Sequence, residues 1–200
     1  RAIATQQTGF SFVAQMRSDL PHYLRGRLWF GTDDANTNVY LPIFCSVKKA
    51  PAQLAHGDVN TIDWNSNFWV NNYVANQAYN RYSLMIPDIR RVQGELENAI
   101  DVKVALEQIP AFDDETAIQL TQDLADLWAE RATASYKQLG DYLFVKFMDG
   151  NMKKTDDNHE FIKSEYGMPV YPQFPGYDER YFRTIVNDAG ERLKVHKIDY

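Results

Sequence analysis

A short run of oxygen-bearing side chains lies between two apolar segments and is the part of this sequence best suited to chemistry. We call residues 33–38 the polar turn, and its oxygen-bearing members are Asp33, Asp34, Asn36, Thr37 and Asn38. Asp and Asn bond their own backbone and tolerate left-handed conformations, so these residues could simply build a turn. Alternatively, an Asn amide could donate to a developing oxyanion, and a carboxylate could hold a substrate amine.

A metal site is a third interpretation of the polar turn, and the sequence argues against it. Alternate positions from Asp34 match the first three ligands of an EF-hand loop, but Val39 stands where that loop requires glycine and Cys45 where it requires glutamate. The histidines are widely spaced, with no H-E-x-x-H pair that would indicate zinc: His22, His56, His159 and His196. We therefore predict no metal. No phosphate loop or dinucleotide fingerprint implies a cofactor either.

Cys45 is the only thiol, and it could be mistaken for a nucleophile with His56 as its base. It ends an apolar segment, where a free cysteine is expected to behave as a small hydrophobic residue. No cationic cluster accompanies it that would activate it for attack. The sequence thus argues against a catalytic role for Cys45.

Composition limits the classes of partner. The chain has 200 residues, of which 44% are hydrophobic and 24% charged, as is usual for a globular domain. A net charge of −6 offers no basic face, which argues against nucleic acid and anionic membranes as partners. Apolar runs such as 39–45 are far shorter than the roughly 20 residues that span a bilayer. A single cysteine excludes an internal disulfide, and the compartment, cytoplasmic or exported, stays open.

The elements that must position the polar turn begin with strands. Alternating apolar and polar residues predict strands over 9–16, 27–31 and 38–45, with a loop at 18–26. The aromatic content of both faces favours a sheet packed on both sides.

Helical periodicity follows from residue 65. After Asn65 or Ser66 as N-cap, an aromatic stripe predicts one inward face: Phe68, Trp69, Tyr73, Asn76 and Tyr79 or Asn80. A second helix is predicted to start at Pro87 and end before Pro110, burying Ile89, Val92, Leu96 and Ile100, with its charged residues on a solvated face: Arg90, Arg91, Glu95 and Glu97.

A third helix is predicted to run for about nine turns from a cap at Asp113 or Asp114 to Gly150. Its inward positions are Leu120, Leu124, Leu127, Trp128, Ala132, Leu139 and Leu143. Clustered prolines then predict a meandering extension that ends in a short helix or strand near 181–186.

Several blocks of the sequence resemble one enzyme family. The most distinctive is LWFGTDDANTNVYLPIF at 28–44, and others in the right order are QQTGFSFVAQ at 6–15, NFWVNNYVAN at 67–76 and RYSLMIPDIRRVQ at 81–93. These blocks resemble the PepD-type cysteine dipeptidases, which are N-terminal nucleophile hydrolases. The resemblance is weaker beyond residue 94, over 136–150 and 176–186.

The resemblance implies an α+β fold, part of the αββα four-layer sandwich of that superfamily, with strands first and long helices after. It implies a cysteine nucleophile exposed by processing, whose α-amino group is the base. Arg1 cannot take that place, since a guanidinium stays protonated. We therefore expect a C-terminal portion, inactive alone. It would be a single domain over 1–200, with strands and loops in 1–64, long helices in 65–150 and an irregular extension in 151–200.

The resemblance also assigns roles within the polar turn. It implies Asn36 as an oxyanion donor and Asp33 or Asp34 as the partner of a dipeptide's amine, with a dipeptide or short peptide as substrate and no cofactor. An incomplete sheet would leave an open edge, so a homo-oligomer or dependence on the missing part is expected.

Two other functions stay open. One is a related amide hydrolase of the same superfamily that acts on an acylated small molecule; an acidic pocket at Asp33 and Asp34 favours dipeptides, and a wholly apolar pocket favours acyl amides. The other is a non-catalytic binding module that reuses the fold.

Overall fold

The computed structural model describes residues 4–99, 108–170 and 172–195. Residues 1–144 and 145–200 form two compact units, and each is described by itself. Strands and helices occur together, so the predicted α+β class is confirmed. No described helix combines the length and apolarity needed to cross a membrane.

One antiparallel sheet of three strands opens the first unit. Strands β1 (Phe10–Met16), β2 (Gly26–Thr32) and β3 (Leu41–Phe44) pair in the order β1-β2-β3. The predicted strands are therefore confirmed, except that β3 begins three residues later than the predicted 38. The reason is that the backbone N–H of Asn38 donates to the carbonyl of Asp34 at 3.0 Å, which makes Asn38 part of the polar turn.

The expectation of a sheet packed on both sides is wrong for β1. Phe12 is 54% exposed and Met16 is 75% exposed on this edge strand, whereas Leu41 of β3 is fully buried. Val13, which points to the opposite face of β1, is also 57% exposed. The sheet is thus covered near β3 and open at β1.

Helices α1 (Ala52–Ala55) and α2 (Asn67–Asn80) follow the sheet, and Ser66 occupies the N-cap position of α2. The predicted aromatic face of α2 is wrong. Its buried positions are small, β-branched or amide residues: Asn67, Val70, Asn71, Val74, Ala75 and Ala78. Close packing against β2 favours these compact side chains, and Tyr79 is left 39% exposed.

Helix α3 (Tyr82–Ala99) begins five residues before Pro87, so the predicted start is wrong. The break between α2 and α3 occurs at Arg81, whose carbonyl accepts the N–H groups of Leu84 and Met85. Pro87 lies on the exposed side of the second turn, where its ring meets solvent. Ile89 and Leu96 are buried as predicted, Val92 is half-buried, and Ile100 lies outside the described residues.

Helix α4 (Asp114–Phe147) confirms the long third helix. Asp113 caps it, since its Oδ1 accepts the backbone N–H of Thr116 at 3.0 Å. Most predicted inward residues are buried or half-buried, but Leu127 is 55% exposed, so its predicted burial is wrong. The helix is polar on much of its length, and one apolar residue on the outer face is ordinary.

The second unit contains short irregular bridges followed by helix α5 (Glu179–Ala189). Asp178 caps this helix by accepting the N–H of Tyr181 at 2.8 Å. The element predicted near 181–186 is therefore a helix and not a strand.

Candidate functional site

The polar turn continues directly from the end of β2. The N–H of Asp33 donates to the carbonyl of Gly9 at 2.8 Å, which extends the pairing of β1 with β2 by one bond. Asp33 then takes a left-handed conformation with φ of 63°. Aspartate is among the residues that tolerate this region, so the chain reverses there.

Asp34 builds the turn from inside. One carboxylate oxygen accepts the N–H of Asn36 at 3.3 Å, and the other accepts the hydroxyls of Thr37 at 3.2 Å and Tyr79 at 3.3 Å. Its side chain is only 1% exposed. Both oxygens of Asp34 are therefore engaged within the protein. Burial raises the pKa of Tyr79, and the charge of the Asp34 carboxylate raises it further.

Asp33 is equally buried but less well satisfied. Asn72 Nδ2 donates to its Oδ1 at 3.0 Å, while Oδ2 is buried and has no hydrogen-bond partner among the described residues. Burial raises the pKa of Asp33, and the charge of Asp34 adds to that, against the lowering by Asn72 and the backbone of Asp34. The Asp33 carboxylate is thus held in an environment that favours its protonated form.

Asn36 is held in one orientation by three contacts. Arg90 donates to its side-chain Oδ1 at 2.7 Å, its Nδ2 donates to the hydroxyl of Tyr82 at 2.7 Å, and Gln93 donates to its backbone carbonyl at 3.2 Å. Because arginine can only donate, the Arg90 contact fixes which side-chain atom of Asn36 is oxygen. One N–H of the amide is then used by Tyr82, and the second can serve another acceptor.

An open cleft of about 440 Å³ lies beside Asn36, and we call it the α3 cleft. It is lined by Ala35, Asn36 and Tyr40 on one side and by Arg90, Gln93, Gly94 and Glu97 of α3 on the other. The backbone N–H of Tyr40 donates to Glu97 at 3.3 Å. The cleft therefore presents a cation, an anion and an oriented amide in one space. Neither Asp33 nor Asp34 lines it.

A buried polar network joins the end of β2, where the polar turn begins, to α2 and α4. Asn67 accepts the hydroxyl of Thr32 at 2.8 Å and donates to Thr133 at 3.1 Å, and Asn71 donates to both Thr32 and Asn67. These hydrogen bonds tie β2, α2 and α4 together, and Asn71 Oδ1 is the atom of these four residues left without a partner among the described residues.

Tyr136 of α4 reaches the turn itself. Its hydroxyl is fully buried and donates to the carbonyl of Thr37 at 2.8 Å. Burial raises the pKa of Tyr136 well above the ordinary range, and the charge of Glu97 adds to that while Arg90 opposes it. The polar turn is thus fixed by contacts from α3 and α4 as well as by its own bonds.

The structure separates the charged residues that the sequence grouped on one solvated face of α3. Arg91 and Glu95 form an exposed i,i+4 pair at 2.8 Å, as expected. Arg90 and Glu97 are exposed as expected, but they also line the α3 cleft, together with Gln93. Their i, i+7 spacing, with Gly94 between them, is the signal that sequence reasoning missed.

Cys45 and His56 lie in different surroundings. Cys45 is exposed at the end of β3, contrary to the expectation of an apolar setting. His56 lines a separate pocket of about 170 Å³ with Trp69 and Phe68. No cluster of metal-ligating side chains occurs within the ranges that the structure describes.

Comparison with known proteins finds a matching family for the first part of the chain. Residues 1–95, close to half of the chain, match the model of peptidase family C69. This part of the chain is therefore similar to peptidase family C69. The C69 segment contains the sheet, α1, α2 and most of α3, and therefore the whole polar turn and Arg90. No match was found among curated proteins.

The C69 match indicates a peptide hydrolase, and the resemblance to this family is confirmed. Within the C69 segment, Asn36 lies at the α3 cleft and is oriented by its neighbours. An amide donor fixed beside a cleft that can hold a peptide suits the stabilisation of an oxyanion.

Proposed function

We propose that the chain is the C-terminal part of a cysteine-type dipeptidase, in which an N-terminal cysteine outside this sequence is the nucleophile. The C69 match supports peptide hydrolysis. The charged lining of the α3 cleft supports a substrate that carries charges of its own. The role of Asn36 as an oxyanion donor is part of the proposal.

The reaction follows the chemistry of an N-terminal nucleophile. The cysteine's own α-amino group accepts the thiol proton, and the sulfur attacks the carbonyl carbon of the peptide bond. The carbonyl oxygen becomes an oxyanion, to which Asn36 donates its second amide N–H. The carbon–nitrogen bond then breaks, the leaving amine takes the proton, and water hydrolyses the thioester.

The observation that carries the proposal is the fixed orientation of Asn36. An oxyanion donor accelerates the reaction only if it is already aimed when charge develops, because reorientation would cost free energy at that moment. The contacts of Asn36 with Arg90 and Tyr82, both at 2.7 Å, supply such preorganisation. A loose surface asparagine would lack it.

The two aspartates of the polar turn contribute differently. Asp34 has both oxygens engaged internally, which supports the turn-building alternative for this residue. Asp33 retains one unpartnered oxygen, but it is 1% exposed and, like Asp34, does not line the α3 cleft. The contact of an aspartate with a substrate amine stays a prediction, since it would require the ligand to displace the atoms that cover Asp33.

The rival amide hydrolase that acts on acylated small molecules is less well supported. An acyl chain would favour an apolar pocket, whereas the α3 cleft contains Arg90 and Glu97. The binding-module alternative predicts ligand binding without turnover.

Hydrolysis of a dipeptide panel tests the proposal. The chain would be compared with a form extended upstream to a processed cysteine, and with that form carrying alanine in place of the cysteine. We expect turnover only in the extended form and its loss in the alanine control. Turnover of N-acyl amides but not of dipeptides would support the rival hydrolase, and binding without turnover would support the binding module.

A further inference from the structure

We propose that Arg90 and Glu97 recognise the two charged ends of one dipeptide, with the carboxylate at Arg90 and the amine at Glu97. The inference takes its substrate class from the proposed function and assigns two residues that determine specificity. Both side chains line the α3 cleft, on opposite sides of Gln93 and Gly94.

The spacing along α3 fits a short zwitterion. Arg90 and Glu97 lie seven residues apart, so their Cα atoms are separated by about 10.5 Å along the helix axis. A fully extended dipeptide spans about 7 Å. The reach of the two long side chains covers the difference, and the opposite charges at the two ends of the cleft favour one direction of binding.

Gly94 leaves the floor of the cleft open. It lies between the two charged residues, and a Cβ placed there would meet only Asn98 Nδ2, at 3.9 Å. The position is therefore not closed by a neighbouring side chain. A ligand backbone can approach the helix at this point.

The position of Asn36 fixes the direction of the ligand. Arg90 donates one hydrogen bond to Asn36 at 2.7 Å, and a guanidinium has further N–H groups for a bidentate bond to a carboxylate. In a dipeptide the carbonyl of the peptide bond lies one residue from the carboxylate. A carboxylate on Arg90 therefore places the scissile carbonyl near the amide of Asn36 and directs the amine toward Glu97.

Glu97 is already oriented toward the cleft. Its Oε1 accepts the backbone N–H of Tyr40 at 3.3 Å, across the cleft from α3. A carboxylate has capacity for several hydrogen bonds, so it can also accept an ammonium group. The amine is thus assigned to Glu97, as an alternative to the predicted contact with Asp33 or Asp34.

Binding of alanyl-alanine to the 200-residue chain tests the inference without requiring turnover. The backbone amide of Gly94 would be followed by NMR during titration with alanyl-alanine, its C-terminal amide and its N-acetyl derivative. We expect both derivatives to bind at least about tenfold more weakly, because each lacks one charge-assisted contact. Equal dissociation constants for the three ligands, or no shift at Gly94, would overturn the inference.

Matched variants assign the two ends. Arg90→Gln should abolish the preference for the free carboxylate over the amide, and Glu97→Gln should abolish the preference for the free amine over the N-acetyl form. Arg91→Gln and Glu95→Gln are the controls, since that exposed pair lies on the same helix outside the cleft lining. Controls that match the R90Q and E97Q results, or an amine preference that survives E97Q, would contradict the assignment.

The outcome is separable from that of the proposed function. If the extended form hydrolyses dipeptides while R90Q and E97Q leave KM and the preference for free termini unchanged, the inference fails and the dipeptidase stands. If alanyl-alanine binds as described but the extended form hydrolyses only N-acyl amides, the binding site stands and the dipeptidase fails.

Discussion

The polar turn after β2 and the edge strand β1 differ in how far the chain covers and pairs its own side chains. At the end of β2, buried polar side chains of the turn find partners on α2, α3 and α4, and Tyr136 is fully buried. Along β1, apolar side chains such as Val13 remain exposed. The first region is closed, with a few buried polar atoms such as Asp33 Oδ2 left without a partner among the described residues, whereas the second exposes apolar surface of the kind found at interfaces.

The exposed apolar side chains of β1 support the expectation that another chain or chain segment covers this strand. A second copy of this chain or a preceding part of the same protein would cover the open edge. Either occupant stays a prediction. Sedimentation of the chain over a range of concentrations would detect self-association.

The largest effect is expected inside the polar network. Asn67→Ala removes the partner of Thr32, Thr133 and Asn71, all of them buried. Leaving such groups unsatisfied should lower the free energy of unfolding by about 3 kcal/mol.

Urea titration followed by tryptophan fluorescence measures that change in the first unit alone, since Trp29, Trp64, Trp69 and Trp128 all lie in it. The control is Asn76→Ala, an exposed asparagine whose amide bonds only within α2. It should change stability by less than about 0.5 kcal/mol. Equal effects of the two substitutions would show that the network does not stabilise the fold.

Substitutions at two valines compare the buried part of the first unit with the exposed strand β1. Val39 is fully buried and Val13 is 57% exposed. Val39→Thr should cost about 2 kcal/mol, because it places a hydroxyl at a fully buried position that now holds an apolar side chain. Val13→Thr should cost less than about 0.5 kcal/mol, and the same urea titration measures both. A large loss in V13T would mean that β1 is covered in solution.

Gly31 tests the close contact beneath the turn. A Cβ at this position would lie 2.5 Å from the Asn38 amide nitrogen, which also donates to the carbonyl of Thr32 at 3.1 Å. Gly31→Ala should therefore cost about 1.5 kcal/mol through overpacking. Gly9→Ala is the matched control, since a Cβ there meets nothing within 4 Å. A thermal melt in which both variants behave alike would contradict the tight packing.

The smallest expected effect concerns the pH dependence contributed by Asp33. Its pKa is raised by burial, so the folded state holds the proton more tightly than the unfolded state does. The free energy of unfolding should therefore fall as pH rises from the ordinary pKa of an aspartate to the raised value, and stay lower above it. Asp33→Asn should make the urea midpoint less dependent on pH over that window. A urea midpoint that falls more steeply with pH in D33N than in the unchanged chain would contradict this explanation.

Local sequence patterns predicted the elements well where one physical signal dominated. The strands, the Asp113 cap and the long α4 all follow from alternation, capping and period. The start of α3 was wrong because Pro87 suits a first turn yet is also tolerated on the exposed side of a second turn. The inward face of α2 was wrong because amides such as Asn67 count as polar in any pattern but are buried here by mutual hydrogen bonds.

The site was predictable only in part. The polar turn stood out by residue type, and the family resemblance singled out Asn36. The residues that orient it could not be found from sequence, because Tyr82 and Arg90 lie 46 and 54 positions away and meet it only in the fold. The division of the α3 charges into the Arg91–Glu95 pair and the cleft pair likewise depends on where the polar turn lies.

The rate of dipeptide hydrolysis in the extended, active form tests the role of Asn36 most directly. We predict that Asn36→Ala lowers kcat by a factor of about 100 to 1,000 with a smaller change in KM, as loss of an oxyanion donor does. Asn80→Ala replaces an exposed asparagine whose side-chain amide, within the described ranges, bonds only to the carbonyl of Asn76, and it should leave kcat within about twofold. A kcat in the Asn36 variant equal to that of the Asn80 control would contradict the assignment of the oxyanion donor.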